Sequence, residues 1–168
     1  MLKIYTGHSD EQMREIYGNY SRDITTPYSG NAEDLNRYLK GKGVLSGQGQ
    51  AFIDAQNKYG ISAAVLAGIA ISESGGTSSL ARKRFNVTSI SSSRGWRRFN
   101  NVSECIDYTA SMLANRYVKN SGLSGVSLKT LYQINAKYCP VSDTRNNSSN
   151  NRFWAQNVEN KVREIEKA

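Results

Sequence analysis

The sequence predicts a mainly helical α+β domain, in which helices precede and follow a small β-hairpin lobe that flanks a cleft. Residues 62–71 are apolar almost all round, which is typical of a helix buried on most sides. Residues 84–102 are irregular and rich in Ser, Arg and aromatic residues, and this pattern favours a small hairpin lobe. With 168 residues, the chain is long enough for one domain with a substantial core.

Capping residues and helical spacing place the other helices. Ser9 followed by Gln12 is a capping box, which predicts a helix to about Tyr20. Ser103 is expected to cap another helix, and the Asn-rich stretch 146–151 is expected to be a loop. We predict an N-terminal helix and connector over residues 1–30 and the main domain over residues 31–168. Helices are expected in the main domain at about 31–40, 47–59, 62–73, 103–117, 127–137 and 152–166.

Composition narrows the function classes. The formal charge of +8 and the pI of about 9.6 favour polyanionic partners, either nucleic acid or the anionic polymers of a bacterial wall. No nucleic-acid-binding motif is visible, so nucleic acid is not the expected partner. Cys105 and Cys139 are too few for a disulfide framework, and one histidine, His8, does not make a zinc site. We therefore predict no metal and no cofactor.

The N-terminus and the hydropathy suggest a location. No apolar run reaches the ~18 residues of a membrane span, and no membrane association is expected. The first residues lack an apolar leader, so we expect no signal peptide and synthesis in the cytoplasm. A monomer is expected unless the chain is part of a virion.

Glu73 is the candidate catalytic residue that the local pattern singles out. It follows the apolar helix and precedes Gly75 and Gly76, which can end a helix. Desolvation and the negative end of the helix dipole should both raise the pKa of its carboxyl group. A carboxyl that stays protonated near neutral pH can act as a general acid on a glycosidic oxygen. On pattern alone, a glutamate that merely ends a helix in solvent is an equal alternative.

Several segments then point to a family. Residues 39–45 (LKGKGVL) are the first of these segments, and residues 73–81 (ESGGTSSLA) are the central one. An Asn-containing turn at Asn86 follows, and residues 138–141 (YCPV) with Asp143 precede a Trp-Ala pair at 154–155. In order and spacing, these segments resemble bacterial glucosaminidases of glycoside hydrolase family 73 over about residues 35–166.

The resemblance implies a lysozyme-like fold and hydrolysis of peptidoglycan at the β-1,4 bond between N-acetylglucosamine and N-acetylmuramic acid. Glu73 would be the general acid, and Tyr138 would be a second catalytic residue that bonds the sugar or positions a water. The implied partner is bacterial peptidoglycan, with anionic wall polymers as a further candidate. The residues expected to bind substrate are Ser74, Gly75, Asn86, Trp96, Asp143 and Trp154.

The chain departs from the family at several points, and the segment after Glu73 is one residue shorter than in typical relatives. Where relatives have Phe-Gly, this chain has Thr88-Ser89, and Phe85 replaces the first Asn of the turn. No Asp or Glu lies between Glu73 and Glu104, so the lobe supplies no second carboxylate of the kind that glycosidases usually use. Participation of the substrate's own N-acetyl group and a water oriented by Tyr138 are both open routes.

Six cations and three aromatic residues (Phe85, Trp96 and Phe99) lie between Glu73 and Glu104 instead. The cations could steer an anionic glycan or form an ordinary solvated face. Trp96 and Phe99 could stack on sugar rings or pack within the lobe. The cations are Arg82, Lys83, Arg84, Arg94, Arg97 and Arg98.

Other functions fit the same residues. A lytic transglycosylase needs only one glutamate, and a non-catalytic wall-binding or structural tail module would need none. A basic wall-lytic domain without an apolar leader suggests a bacteriophage source, such as an endolysin or a tail component that acts on the wall during lysis or from the virion. A domain taken from a larger autolysin would have the same sequence features.

Overall fold

The computed structural model describes residues 8–119, 127–140 and 148–168. Within these ranges the chain is mostly helical, and it has one antiparallel pair of short strands, as the sequence predicts. The helices are α1 (Asp10–Tyr17), α2 (Ala32–Leu39), α3 (Gly49–Tyr59), α4 (Ala63–Glu73), α5 (Ser79–Arg84), α6 (Val102–Leu113), α7 (Leu131–Tyr138), α8 (Ser148–Arg152) and α9 (Trp154–Lys167). The strands are β1 (Ser91–Ser92) and β2 (Gly95–Trp96), with Ser91 opposite Trp96.

Helix α4 is the centre of the core. Its residues 63–70 are all buried, because the helix packs against α9, α3 and α6. Gly68 lets α9 approach closely, since a Cβ at this position would lie 3.2 Å from Val162 Cγ2 and 3.3 Å from the Val158 carbonyl oxygen. The start of α4 is capped by Ser62, whose hydroxyl accepts the Val65 N–H.

The N-terminal helix and connector pack onto the same core. Met13 and Tyr17 of α1 are buried, and α1 contacts α7. In the connector, the Ile24 N–H donates to the Lys129 carbonyl at 2.9 Å, and the Ile24 carbonyl accepts the Ser62 N–H. Arg22 forms ion pairs with two glutamates of α9, of which Glu159 is buried.

The structure corrects several predicted boundaries. The Ser9 capping box is confirmed, but α1 ends at Tyr17 because Gly18 takes a positive φ. Helix α6 is capped by Asn101, whose side chain accepts the Glu104 N–H, and not by Ser103. A short helix, α5, precedes the hairpin and was not predicted.

The Asn-rich stretch also differs from expectation. Its residues 148–151 lie in α8 and not in a loop, while residues 146–147 lie outside the described ranges. No helix in those ranges combines the length and apolar character needed to cross a membrane.

Candidate active site

Glu73 is the last residue of α4, at the point where the apolar core meets the surface. The apolar helix cannot continue, because Gly75 and Gly76 both take positive φ, at 62° and 77°. At Gly76 a side chain is also excluded by space, since a Cβ would collide with the Lys42 carbonyl oxygen. The carboxyl group of Glu73 is therefore held at a fixed helix end and is half-buried.

The carboxyl group accepts a hydrogen bond from the Trp154 indole Nε1–H, which lies 3.1 Å from Oε1. Burial raises the pKa of Glu73 above the ordinary glutamate value, and the Trp154 indole and the Ser89 side chain of the hairpin lobe partly offset this effect by favouring the anion. In the part of the chain that the structure describes, no neighbouring carboxylate contributes to the raised pKa.

Tyr138 lies beside this pair at the end of α7. Its ring stacks on Trp154 with centroids 5.1 Å apart, and Tyr117 lies at 6.4 Å. The hydroxyl donates to the Thr88 carbonyl at 2.8 Å. Burial, together with the charge of Glu73, raises the pKa of Tyr138 well above its usual value. The phenol therefore stays neutral, and its oxygen keeps lone pairs that can accept a hydrogen bond.

Ser89 is the site residue that sequence reasoning missed as a contact. Its φ is 59°, in the left-handed region that favours glycine. This explains why a glycine suits this position in the family that the sequence resembles. The side chain of the preceding residue, Thr88, is buried and bonds Thr109 Oγ1 at 2.8 Å. The Thr88-Ser89 departure was the available signal, because it replaces a glycine at a strained position.

A groove of about 210 Å³ begins at Ser89 and Tyr138. Glu73 itself does not line this groove, and the link to it is Tyr138, whose ring stacks on the Trp154 that hydrogen-bonds the carboxyl group. Polar and aromatic side chains make up most of its wall. The remaining lining residues are Ile90, Ser91, Tyr108, Met112, Arg116 and Tyr117.

Ser74 and Gly75 lie next to Glu73, but their contacts are internal. The Ser74 hydroxyl lies 3.0 Å from the Ala70 carbonyl and 2.9 Å from the Val87 carbonyl. It also accepts the Gly76 N–H at 3.1 Å. Ser74 thus ties the end of α4 to the hairpin lobe, while the Gly75 N–H donates back to α4.

Asn86 is not at the cleft surface, contrary to the expectation that it binds substrate. Its side chain is 0% exposed and is fully used by the backbone of the lobe. It accepts the Ile90 N–H at 2.9 Å and donates to the Ile90 and Arg97 carbonyls at 2.8 and 2.9 Å. An amide in this position organises the turn and cannot reach a sugar without losing these bonds.

The structure separates the other predicted substrate residues. Trp154 is 4% exposed and contacts Glu73 directly, so it supports the carboxyl group from the core side. Trp96 is 53% exposed on the hairpin and is not among the residues that line the groove at Tyr138. Phe99 is buried against Tyr108, which settles its role as packing. Asp143 lies outside the described residues.

The first acidic residues after the hairpin lobe, Glu104 and Asp107, could be considered as a second carboxylate, but both have other partners. Asp107 accepts from the Tyr59 hydroxyl at 2.9 Å and pairs with Lys58. Glu104 accepts from Asn100 at 2.9 Å in the first turn of α6. Within the described ranges no cluster of His, Cys, Asp and Glu could hold a metal ion, and both cysteines are free.

Comparison with known proteins gives the family. The family model for glucosaminidase, described as mannosyl-glycoprotein endo-beta-N-acetylglucosaminidase, matches residues 49–167. A bifunctional autolysin of Staphylococcus epidermidis is 37% identical over 100 residues, which are 58% of this chain and 8% of that protein. A bifunctional autolysin of Staphylococcus aureus is 35% identical over 107 residues, 62% of this chain and 9% of that protein. The aligned segment is thus less than a tenth of these relatives' length.

Solved structures share the fold. A catalytic mutant of Staphylococcus aureus Autolysin E in complex with the disaccharide NAG-NAM superposes with a TM-score of 0.70 at 21% identity, covering 96% of this chain and 79% of that one. Autolysin E in complex with the muropeptide NAM-L-Ala-D-iGlu gives 0.67, also at 21% identity and with the same coverage. A Major Bifunctional Autolysin gives 0.54 at 26% identity, covering 91% and 73%. With the family model matching most of its length, this chain belongs to the glucosaminidase family.

Proposed function

We propose that this domain hydrolyses the β-1,4 bond between N-acetylglucosamine and N-acetylmuramic acid in bacterial peptidoglycan, with Glu73 as the general acid. The observation that carries the proposal is the half-buried carboxyl group at the end of α4, whose pKa is raised by burial and which hydrogen-bonds Trp154 beside the Tyr138 ring. The family match supports a glycosidase, and the named relatives are autolysins. A structural neighbour solved with NAG-NAM supports this glycan as the substrate class.

The proposed chemistry follows from the contacts of Glu73. The protonated carboxyl group gives its proton to the glycosidic oxygen as the bond to the anomeric carbon breaks. The carboxylate that remains accepts hydrogen bonds from Trp154 and Ser89, which favour the charged form. These two groups therefore assist proton transfer at the moment when negative charge develops on Glu73.

Tyr138 is proposed to act by position. Its raised pKa excludes a role as a base near neutral pH, because the phenol keeps its proton. With that proton donated to Thr88, the oxygen can accept a hydrogen bond from a water or a sugar hydroxyl. A water held there would attack the anomeric carbon with inversion and release its proton to solvent. Participation of the substrate's N-acetyl group would instead give retention, so the anomer first formed distinguishes the two routes.

Residues 8–30 are proposed to belong to the same folding unit as the catalytic domain. Their contacts with Ser62, Lys129 and Glu159 connect them to α4, α7 and α9.

The expectation that Asp143 binds substrate stays a prediction. A phage source also stays a prediction. The named relatives are bacterial autolysins, and they support action on the bacterial cell wall. Neighbouring genes for tail or lysis proteins would support the phage source.

Clearing of purified Gram-positive cell walls tests the proposal. We expect the parent protein to reduce turbidity and Glu73→Gln to lose at least about 100-fold of the rate, as for removal of a general acid. Glu104→Gln, an exposed carboxylate, is the matched control and should keep the parent rate. Reducing ends in the products support hydrolysis, and 1,6-anhydro ends would support a lytic transglycosylase. Equal clearing by Glu73→Gln would contradict the assignment.

A further inference from the structure

Six cations lie between residues 82 and 98, in the part of the chain that we call the basic lobe (residues 79–101, with α5 and the β1–β2 hairpin). All six side chains are exposed, and they account for most of the net charge of +8. The chain has no acidic residue between Glu73 and Glu104, so the lobe carries cations alone. These side chains are Arg82, Lys83, Arg84, Arg94, Arg97 and Arg98.

The arginines of the basic lobe are oriented but not neutralised. Arg84 donates to the Trp96 carbonyl at 3.1 Å, and Arg98 donates to the Lys83 carbonyl at 2.9 Å. Arg97 lies over the Tyr108 ring at 4.3 Å. Among the described residues, none of the six lobe cations pairs with a carboxylate. A backbone carbonyl uses one or two of the five guanidinium N–H groups, so the others remain available to an anionic ligand.

A second groove lies between α5 and the hairpin. Its volume is about 280 Å³, and Lys83, Arg84 and Trp96 line it together with Ser79 and Leu80. It shares no lining residue with the groove at Tyr138. The Trp96 ring is 53% exposed, so it offers a flat apolar surface beside the cations. This combination suits a polymer that alternates anionic groups with sugar or polyol units.

We propose that the basic lobe binds the phosphodiester-linked anionic polymers of the bacterial wall, outside the catalytic cleft. Guanidinium groups match phosphate oxygens in geometry, and the unpaired charge supplies attraction along a repeating polyanion. The choice of a wall polymer over nucleic acid rests on the proposed function. The lobe also supplies Ser89 and Thr88 to the candidate active site, so binding there would hold the catalytic cleft at the wall.

The test measures binding without hydrolysis. Each protein tested carries Glu73→Gln, so that it cannot cleave the walls it binds. The dissociation constant of each protein is measured by co-sedimentation with cell walls, before and after the phosphodiester polymers of the walls are chemically removed. The lobe variant is Lys83→Gln with Arg84→Gln and Arg94→Gln. A control with the same charge change replaces three exposed lysines elsewhere, Lys40, Lys129 and Lys167, by Gln.

We expect the lobe variant to bind polymer-bearing walls about 100-fold more weakly, since each cation near an anionic surface contributes about fivefold. The control should lose far less, and the difference should vanish on stripped walls and shrink as salt rises. If the triple change disturbs folding, Lys83→Glu and Trp96→Ala singly should each still weaken binding.

The inference would be overturned if the lobe and control variants lost equal affinity, or if the protein bound stripped walls as tightly as polymer-bearing walls. Binding of duplex DNA as tightly as polymer-bearing walls would do the same, because it would make the lobe a general polyanion surface. Wall clearing by the catalytically intact proteins is measured separately. A protein that binds but does not clear contradicts only the proposed function, and one that clears without lobe-dependent binding contradicts only this inference.

Discussion

The helical core and the basic lobe are stabilised in different ways, and Glu73 lies where they meet. In the core, α4 packs through apolar side chains, with Gly68 against Val158 and Val162 of α9. In the lobe, a buried amide, Asn86, bonds three backbone groups, and arginine side chains bond carbonyl oxygens. The core thus depends on close packing, and the lobe on polar contacts.

This difference explains the electrostatics of the site. The apolar core supplies the burial that raises the pKa of Glu73. The lobe and α9 supply polar donors, Ser89 and the Trp154 indole, that stabilise the carboxylate. A carboxyl group with one apolar side and one polar side can both keep a proton and release it. Changes on the two sides should therefore have separable effects on stability and on pH dependence.

The largest effect is expected from a change in the core. Gly68→Leu would place a side chain where even a Cβ is 3.2 Å from Val162, so the free energy of unfolding should fall by about 3 kcal/mol or more. Asn160→Leu places the same residue on the exposed face of α9 and should change stability by less than about 0.5 kcal/mol. Urea unfolding measures both, and similar losses would show that α4–α9 packing is not the critical contact.

A smaller loss is expected from the lobe. Asn86→Ala removes three hydrogen bonds and leaves buried backbone groups unpaired, which should cost about 2–3 kcal/mol. Wall clearing should fall as well, because Thr88 and Ser89 would lose their fixed positions. Asn100→Ala, at an exposed lobe asparagine, is the control. If Asn86→Ala unfolds at the same denaturant concentration as the parent protein, the lobe is not stabilised by the polar contacts of Asn86.

The smallest effect, and the most specific, concerns Trp154. Trp154→Phe keeps the ring beside Tyr138 but removes the N–H that lowers the pKa of Glu73. The pKa of Glu73 should therefore rise further. The variant should lose activity by deprotonation of Glu73 at a higher pH than the parent does. The optimal rate should fall only about fivefold, as for one hydrogen bond. A profile shifted toward lower pH would contradict this role.

Local patterns predicted the parts of the fold that depend on neighbours in sequence. The Ser9 capping box and the apolar helix α4 are confirmed, because each depends on contacts within a few residues. Helix α5 was missed, since its six residues, mostly polar or charged, carry no apolar periodicity. The cap of α6 was misplaced by two residues because Asn101 and Ser103 are both suitable capping types.

The candidate site was only partly predictable. Glu73 could be found from α4 and the glycines that follow it. Its bond to Trp154 joins residues 81 positions apart, and no local pattern contains such a contact. Asn86 was expected to bind substrate because it lies in the Asn-containing turn of the family that the sequence resembles. In the structure its amide lies inside the lobe, where it bonds the Ile90 N–H and the Ile90 and Arg97 carbonyl oxygens.

Direct titration of the Glu73 carboxyl group tests the central claim, that burial between core and lobe raises the pKa of this group. The carboxyl ¹³C resonance of Glu73 would be followed by NMR against pH and identified by its loss in Glu73→Gln. We predict a midpoint above 4.5, the ordinary value for glutamate, in the folded protein and a return to that value in the unfolded protein. A folded-state midpoint at or below 4.5 would contradict the role of Glu73 as the general acid.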